Sequence, residues 1–220
     1  VPTTCGTGSE VTNVSILEFV DRHTKFGLAV DALYADHAVL IPELIEKLPF
    51  SVFATSSIDA FIHAIESYVS PKATVFSEMY SKKAMEMILN GYMKIAGEGH
   101  AVLPSLTKDF LTASCYGGIA FGNAGTGPVH AMSYPLSGTY HVPHGESNYV
   151  FFTTVFHKYQ ELKPDGKIAE LNRFLGNILG CTPDDVYTEL EKLFNQIITK
   201  KSLSEYGVTE EDLRAFAENV

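Results

Sequence analysis

The spacing of apolar residues along the chain changes near Pro49. Before that point, residues 14–19 and 26–30 form two runs rich in strand-forming side chains, and the polar residues 21–24 between them predict a turn. A third apolar run at residues 38–41 predicts a further buried strand. The N-terminal part is therefore expected to hold a β-hairpin followed by one more short strand.

From Pro49 onward, apolar residues recur every three or four positions, which is the period of an α-helix. The pattern predicts one helix that ends near residues 68–69 and a second over about residues 74–95. Residues 182–185 and 209–212 both combine a hydroxyl N-cap with first-turn acids and predict helix starts. The apolar side of the second helix is predicted to consist of Met79, Ala84, Met87, Ile88 and Tyr92. The predicted fold class is mainly α, a helical domain with a short N-terminal β-hairpin.

The negative net charge of the chain excludes some classes of binding partner. The 220 residues carry 16 Lys and Arg against 26 Asp and Glu, a formal net charge of −10, which argues against nucleic acid or an anionic membrane as a partner. No apolar run reaches the roughly 20 residues that span a bilayer. The three cysteines form no CxxC pair, so neither a disulfide framework nor a thiolate zinc site is expected, and a reducing cytoplasm is the predicted compartment.

Four residues are candidates for one metal site. Asp59 and His63 are four residues apart, which places both side chains on one face of a helix. Most such pairs are simply solvated, but this pair has apolar neighbours, where an unpaired charge is costly. His130 and His144 follow in segments punctuated by glycine and proline, which allow close backbone approach. One carboxylate and three neutral imidazoles suit Fe²⁺ or Zn²⁺, whereas Mg²⁺ and Ca²⁺ prefer oxygen ligands.

Four sequence segments carry a family resemblance. They read PTTCGTGSE, SIDAFIHAIESY, NAGTGPVHAM and PHG, at residues 2–10, 57–68, 123–132 and 143–145. Each is similar to a motif of the iron-dependent (group III) alcohol dehydrogenases, and the four occur in the order in which that family has them. The amino-acid sequence of residues 1–15 and 133–146 most resembles that of the branch of the family that acts on 4-hydroxybutyrate.

The resemblance implies a domain organisation. Members of this family have an N-terminal nucleotide-binding domain with a GGGS phosphate loop, followed by a helical, dehydroquinate synthase-like metal domain. This chain contains no GGGS segment. Residues 1–45 are therefore expected to be hinge strands left over from the nucleotide-binding domain, and residues 46–220 to be the helical metal and substrate domain. The intact enzyme, with its missing N-terminal part, is expected to be a homo-oligomer.

The resemblance also implies roles for individual residues. The four metal ligands would be Asp59, His63, His130 and His144. The dinucleotide would be approached by three threonines of the first motif and its ribose by one lysine, namely Thr3, Thr4, Thr7 and Lys25. Tyr134 stands where the family often has a second histidine, so Tyr134 or His141 is the candidate for proton relay. The far carboxylate of a hydroxy acid would be held by His141, Tyr134, Tyr140 or Asn148.

The implied function is NAD-linked interconversion of a primary alcohol and an aldehyde at a bound Fe²⁺ or Zn²⁺, with 4-hydroxybutyrate and succinate semialdehyde as the expected pair. Enzymes of the 1,3-propanediol or lactaldehyde type are an alternative within the family. A non-catalytic, metal-stabilised helical module is another, because the chain alone is expected to be nearly inactive without its cofactor domain. A helical metal-dependent hydrolase is disfavoured, since such a site needs adjacent His-Asp ligands and no His-Asp dipeptide occurs here.

Overall fold

The computed structural model describes residues 1–19, 21 and 24–218. Within these residues, an antiparallel hairpin precedes eight α-helices, so the mainly α prediction is confirmed. Short 3₁₀ turns connect several of the helices. The strands and helices are β1 (Val14–Phe19), β2 (Thr24–Ala29), α1 (Phe50–Val69), α2 (Val75–Glu98), α3 (Thr107–Ala124), α4 (Pro128–Tyr140), α5 (His144–Leu162), α6 (Gly166–Leu179), α7 (Val186–Phe194) and α8 (Glu210–Glu218).

The predicted hairpin is present, and its register pairs Val14 with Ala29 and Phe19 with Thr24. Part of the predicted turn, residues 22–23, lies outside the described residues. The predicted buried strand at residues 38–41 is wrong, because this run has no regular structure and Val39 is 48% exposed. A strand needs a neighbour to satisfy its backbone groups, and within the described residues the sheet consists of β1 and β2 alone.

Helix α1 lies at the centre of the helical domain and packs against α2, α3 and α5. Its residues from Ser57 to Tyr68 are all buried, including both apolar and polar side chains. A helix that is covered on every side can place polar groups in a low-dielectric interior, provided that other groups pair with them. No helix in the described part of the chain combines the length and apolar content that a bilayer crossing requires.

Helix α2 follows its predicted pattern except at Met79, which is 55% exposed. Ala84, Ile88 and Tyr92 are fully buried and are spaced four residues apart on one stripe. Met79 precedes Ala84 by five residues, which turns it well away from that stripe at 3.6 residues per turn. The prediction that this methionine belongs to the core is therefore wrong.

The two predicted helix starts near the C-terminus differ in outcome. Thr209 begins α8 as expected, and its N–H donates to the Asp212 carboxylate at 2.8 Å. The first turn of α7 begins only at Val186, four residues after Thr182. The Thr182 hydroxyl donates to the Asp185 carboxylate at 2.7 Å instead of accepting from a helix N–H, so residues 182–185 form a turn before the helix.

Two glycine contacts fix how neighbouring segments approach the helical core. A Cβ atom on Gly145, at the start of α5, would lie 1.8 Å from the carbonyl oxygen of Thr55 on α1. A Cβ atom on Gly8, whose φ is +57°, would lie 2.5 Å from the Cα atom of Gly118 on α3. Only glycine allows backbones to meet this closely. These contacts bring the first turn of α5 onto α1 and the N-terminal loop onto α3.

The contact between α5 and α1 predicts the effect of Gly145→Ala. The added methyl group forces two packed backbones apart, so the free energy of unfolding should fall by about 1–3 kcal/mol or more. The matched control is Gly97→Ala inside α2, where a Cβ atom would meet nothing within 4 Å. That control should be stabilised by up to about 1 kcal/mol through helix propensity. Urea unfolding of both variants measures the difference, and equal stability of Gly145→Ala and the unsubstituted chain would contradict the packing described.

Candidate metal centre

Three helices bring the four predicted ligands together. Asp59 and His63 project from α1, His130 from α4 and His144 from α5. The Asp59 Oδ1 atom lies 3.6 Å from His130 Nε2 and 3.6 Å from His144 Nε2, and Asp59 Oδ2 lies 3.8 Å from His63 Nδ1. One ligand atom each from Asp59, His63 and His130 lies within 4.8 Å of the others. These separations are too long for good hydrogen bonds.

The same separations suit a shared ion. Ligand atoms placed about 2.1 Å from a tetrahedral metal lie about 3.4 Å from one another. Within the described residues, His63 Nδ1 and His130 Nε2 are buried and have no hydrogen-bond partner. Asp59 is 4% exposed and His130 is 2% exposed, so water does not readily satisfy these atoms. One carboxylate, three imidazoles and two unpaired buried nitrogens form a donor set that fits Fe²⁺ or Zn²⁺.

The electrostatics of Asp59 and His63 favour the ligand forms of both. Burial alone raises the pKa of the Asp59 carboxyl, but the nearby imidazoles of His63, His144 and His130 outweigh it and hold this pKa well below its usual range. Burial lowers the pKa of His63 to about 4, against the opposing attraction of Asp59. At neutral pH the site therefore presents an ionised carboxylate and a neutral His63 imidazole, which are the forms that bind metal.

Glu66 supports His130 from the side away from the cluster. It is 1% exposed, and its carboxylate accepts hydrogen bonds from His130 Nδ1 at 2.6 Å and from the N–H groups of Gly127 and Val129 at 2.9 and 2.7 Å. Burial alone raises the pKa of the Glu66 carboxyl, but the hydrogen bonds from these donors outweigh burial and lower this pKa. The carboxyl group is therefore ionised at neutral pH. Because Nδ1 is engaged by Glu66, the other ring nitrogen of His130, Nε2, is the one that faces Asp59 and the shared centre.

The contacts that Glu66 and Asn148 make with the proposed metal ligands are not predicted from the sequence. Glu66 lies three residues after His63 on α1, and a charged residue within a buried helical run is the signal that could have revealed it. Asn148 was a candidate for binding a substrate carboxylate. In the structure it is fully buried, and its amide donates to Asp59 Oδ1 at 2.8 Å and lies 3.4 Å from His144 Nε2. Asn148 therefore orients two members of the cluster.

A cavity of about 680 Å³ opens beside the four residues. The N-terminal loop, the hairpin and the end of α3 form its other walls. Of the residues predicted to contact the dinucleotide, Thr7 lines this cavity. Thr3 is exposed and Thr4 is half-buried, and neither belongs to the described lining. Lys25 lies in β2 opposite Glu18, and its side chain is outside the described part of the chain.

The two candidates for proton relay lie in different environments. Tyr134 lines the cavity, and its ring is nearly parallel to that of His144, with centroids 5.9 Å apart. Burial and the charges of Asp59 and Glu66 raise the pKa of Tyr134, so its phenol keeps its proton at neutral pH. His141 ends α4 with φ at +54°, is exposed and lies outside the described cavity lining. Tyr140, the remaining candidate for carboxylate binding, donates to Asp212 at 2.8 Å instead.

Comparisons with known proteins identify the family to which the chain is related. The family model described as "Fe-containing alcohol dehydrogenase family, C-terminal" matches residues 53–220. The chain is 54% identical over 220 residues to a 4-hydroxybutyrate dehydrogenase of Clostridium kluyveri, which covers all of this chain and 59% of that protein. It is 38% identical over 155 residues to a 1-propanol dehydrogenase of Salmonella typhimurium, which covers 70% of this chain and 41% of that protein.

Solved structures give the same result for the fold. A sulfoacetaldehyde reductase from Bifidobacterium kashiwanohense in complex with NAD⁺ superposes with a TM-score of 0.85 at 26% identity, over 99% of this chain and 56% of its own. A 1,3-propanediol oxidoreductase superposes with a TM-score of 0.85 at 29% identity, over 99% of this chain and 57% of its own. The chain thus spans little more than half the length of these relatives. By the family match over most of its residues, the chain belongs to the Fe-containing alcohol dehydrogenase family.

Proposed function

We propose that this chain is the metal- and substrate-binding part of an iron-type, NAD-linked alcohol dehydrogenase that interconverts 4-hydroxybutyrate and succinate semialdehyde. The identity of 54% to the Clostridium kluyveri enzyme supports this choice of substrate. In this proposal, residues 1–45 are hinge strands that belong with a nucleotide-binding domain, and residues 46–220 form the metal and substrate domain. The whole enzyme is a homo-oligomer of the cytoplasm, a compartment consistent with three free cysteines among the described residues.

The convergence of four side chains on one buried point carries the proposal. Asp59, His63, His130 and His144 would hold the ion, with Glu66 fixing the tautomer of His130 and Asn148 fixing the carboxylate of Asp59. The His144 side chain is 33% exposed, so the centre opens to the cavity on that side. A substrate oxygen can reach the centre from there, while the other ligands keep water away from its back.

The chemistry requires polarisation of an alcohol or carbonyl oxygen and a hydride acceptor. When bound, the divalent ion supplies Lewis-acid polarisation and NAD supplies the acceptor. The chain contributes a cavity wall, and in this proposal Thr7, which lines that wall, would contact the dinucleotide. The phenol of Tyr134, which keeps its proton at neutral pH, can donate a hydrogen bond to the substrate oxygen beside His144.

A second candidate substrate class is a plain primary alcohol or diol. It is favoured by the 38% identity to a 1-propanol dehydrogenase and by the structural match to a 1,3-propanediol oxidoreductase. The same four residues would hold the ion in that case, because polarisation of the reacting oxygen does not depend on the far end of the substrate. The two candidates therefore differ only in what the cavity binds away from the metal centre.

Loss of one ligand should remove the metal. Protein purified anaerobically and supplied with Fe²⁺ or Zn²⁺ should retain about one ion per chain, and His144→Ala should lose it on dialysis because three ligands hold the ion less tightly. The matched control is His157→Ala, which changes an exposed histidine outside the cluster. Elemental analysis gives the metal content. Full retention of the ion by His144→Ala would remove this residue from the ligand set.

Turnover by the whole enzyme tests the function itself. NAD-dependent oxidation of 4-hydroxybutyrate, followed by NADH absorbance, should exceed that of 1-propanol and 1,3-propanediol, and His144→Ala should abolish all three together with metal binding. A preference for 1-propanol or 1,3-propanediol would select the second candidate. Turnover by His144→Ala without any bound ion would contradict metal-assisted chemistry at this site.

The pH dependence of metal binding follows from His130. In the ion-free protein, burial lowers the pKa of His130, but Asp59 and Glu66 raise it to about 9. Only the neutral imidazole binds metal, so the association constant for Co²⁺ should rise about tenfold from pH 7 to 8 and about fivefold from pH 8 to 9. Glu66→Gln removes one of the two carboxylates, so it should flatten this rise and weaken binding about 10- to 100-fold.

Competition with a chromogenic chelator at pH 7, 8 and 9 measures this dependence. Glu161→Gln is the matched control, because Glu161 is exposed and pairs with Lys158 on the surface of α5. That control should bind Co²⁺ as the unsubstituted chain does. An association constant that stays flat from pH 7 to 9 in the unsubstituted chain would show that no ligand must lose a proton.

A further inference from the structure

Lys72 lies in the short connection between α1 and α2, at the edge of the cavity that also contains the metal cluster. Hydrogen bonds fix this connection on several sides. The Ser70 hydroxyl donates to the carbonyl oxygen of Ala124 at 2.6 Å, at the end of α3, and accepts from the Lys72 N–H at 3.2 Å. Thr74 then begins α2 through a reciprocal capping box with Ser77. The backbone that carries Lys72 is therefore held in place at three helix ends.

Lys72 is exposed, and within the described part of the chain its charge has no partner of opposite sign. The ion pairs of the described lysines involve other residues, such as Lys83, Lys158 and Lys192 on the helix surfaces. Of the described residues that line the cavity, Lys72 is also the single one with an ammonium or guanidinium group. An unpaired cation at the edge of a substrate cavity is available for an anionic ligand.

The charge balance of the metal centre makes this cation necessary for an acidic substrate. The carboxylates of Asp59 and Glu66 would balance the charge of a divalent ion there, with the imidazoles neutral, so the loaded centre would offer no net positive charge. The chain as a whole carries a formal charge of −10 and repels anions. A substrate carboxylate in the cavity therefore depends on a local cation, and Lys72 is the one that the described lining provides.

The distance along α1 from the metal cluster to the segment that carries Lys72 is compatible with the length of a short substrate. Six residues separate His63 from Val69, the last residue of α1, which is a rise of about 9 Å along the helix axis. The flexible four-carbon stem of lysine can extend from the end of α1 into the cavity. Thr126, which also lines the cavity after the end of α3, adds a hydroxyl donor on the same side.

We propose that Lys72, assisted by Thr126, forms a carboxylate subsite that holds the far end of an ω-hydroxy acid while its alcohol oxygen is at the metal centre. Lys72 is then the residue that selects a hydroxy acid over a plain alcohol. This inference rests on the proposed dehydrogenase function and specifies its substrate class. The phosphate groups of the dinucleotide share the same anionic chemistry, and the experiment separates the two sources.

The test compares Lys72→Met and Lys72→Arg in the whole enzyme, with 4-hydroxybutyrate and 1-butanol as substrates and NAD varied separately. The control is Lys108→Met, an exposed lysine on α3 outside the cavity. Lys72→Met should lower kcat/KM for 4-hydroxybutyrate about 10- to 100-fold through loss of a charge-assisted contact. The values for 1-butanol and the KM for NAD should stay unchanged. Lys72→Arg should retain the preference for the hydroxy acid.

An equilibrium measurement supports the kinetic one. The dissociation constant of succinate, measured by calorimetry on metal-loaded protein, should rise about 10- to 100-fold in Lys72→Met and stay unchanged in Lys108→Met.

Each contrary outcome has a separate meaning. Retention of the substrate preference by Lys72→Met overturns the subsite and leaves the dehydrogenase function standing. If Lys72→Met raises the KM for NAD and leaves the preference for the hydroxy acid unchanged, Lys72 contacts the dinucleotide phosphates. That outcome also overturns the carboxylate subsite. If the unsubstituted enzyme oxidises neither substrate, the proposed function fails, and the binding of succinate alone decides whether Lys72 holds a carboxylate.

Discussion

The carboxylate of Asp59 lies buried in the middle of α1, and a buried negative charge is costly unless cations or donors surround it. Three imidazoles and the amide of Asn148 provide that environment. The arrangement is incomplete without a further cation, because His63 Nδ1 and His130 Nε2 have no partner within the described residues. A divalent ion at the centre of the cluster would satisfy the carboxylate and both nitrogens at once. The buried negative charge of Asp59 must be compensated, and the side chains that the fold brings around it for this purpose are also the candidate metal ligands.

The helical packing is built around the approach of these ligands to α1. Gly145 allows the first turn of α5, which carries His144, to contact the backbone of α1 at Thr55. Gly127, at the start of α4, leaves room for a side chain instead, because a Cβ atom there would lie 2.8 Å from the Glu66 carboxylate. The two glycines of the later motifs thus serve the placement of His144 and His130. A larger residue at position 145 would separate α5 from α1, and one at position 127 would displace the Glu66 carboxylate that contacts His130.

Much of the fold follows from local sequence signals. Hydrophobic periodicity predicts α1, the extent of α2 and the hairpin because these depend on side-chain spacing within one segment. The prediction of a strand at residues 38–41 is wrong because strand formation needs a partner that the local sequence does not specify. Thr182 has the right type for an N-cap, yet it is engaged by the side chain of Asp185. Competition between side-chain partners is decided only in three dimensions.

The candidate site also has a part that local sequence predicts and a part that only the tertiary structure shows. Spacing relates Asp59 to His63, but the convergence of His130 and His144 on them is a tertiary result, which the sequence indicates only through family motifs. The sequence signal for Glu66 is a charged residue within a buried helical run, whereas Lys72 lies in a polar connection and has no sequence feature that marks the role proposed for it. Glu66 is distinguished by four donors from α4 and its preceding turn, and Lys72 by the cavity that it lines.

The most direct test of the central claim is anomalous diffraction from crystals of the protein grown with Fe²⁺ or Zn²⁺. Data collected above and below the absorption edge of the metal locate the ion independently of any assumed ligand. The account predicts one strong anomalous peak among Asp59, His63, His130 and His144, close to the two buried nitrogens that lack partners. A peak at another place, or none at this site in metal-loaded protein, would contradict it.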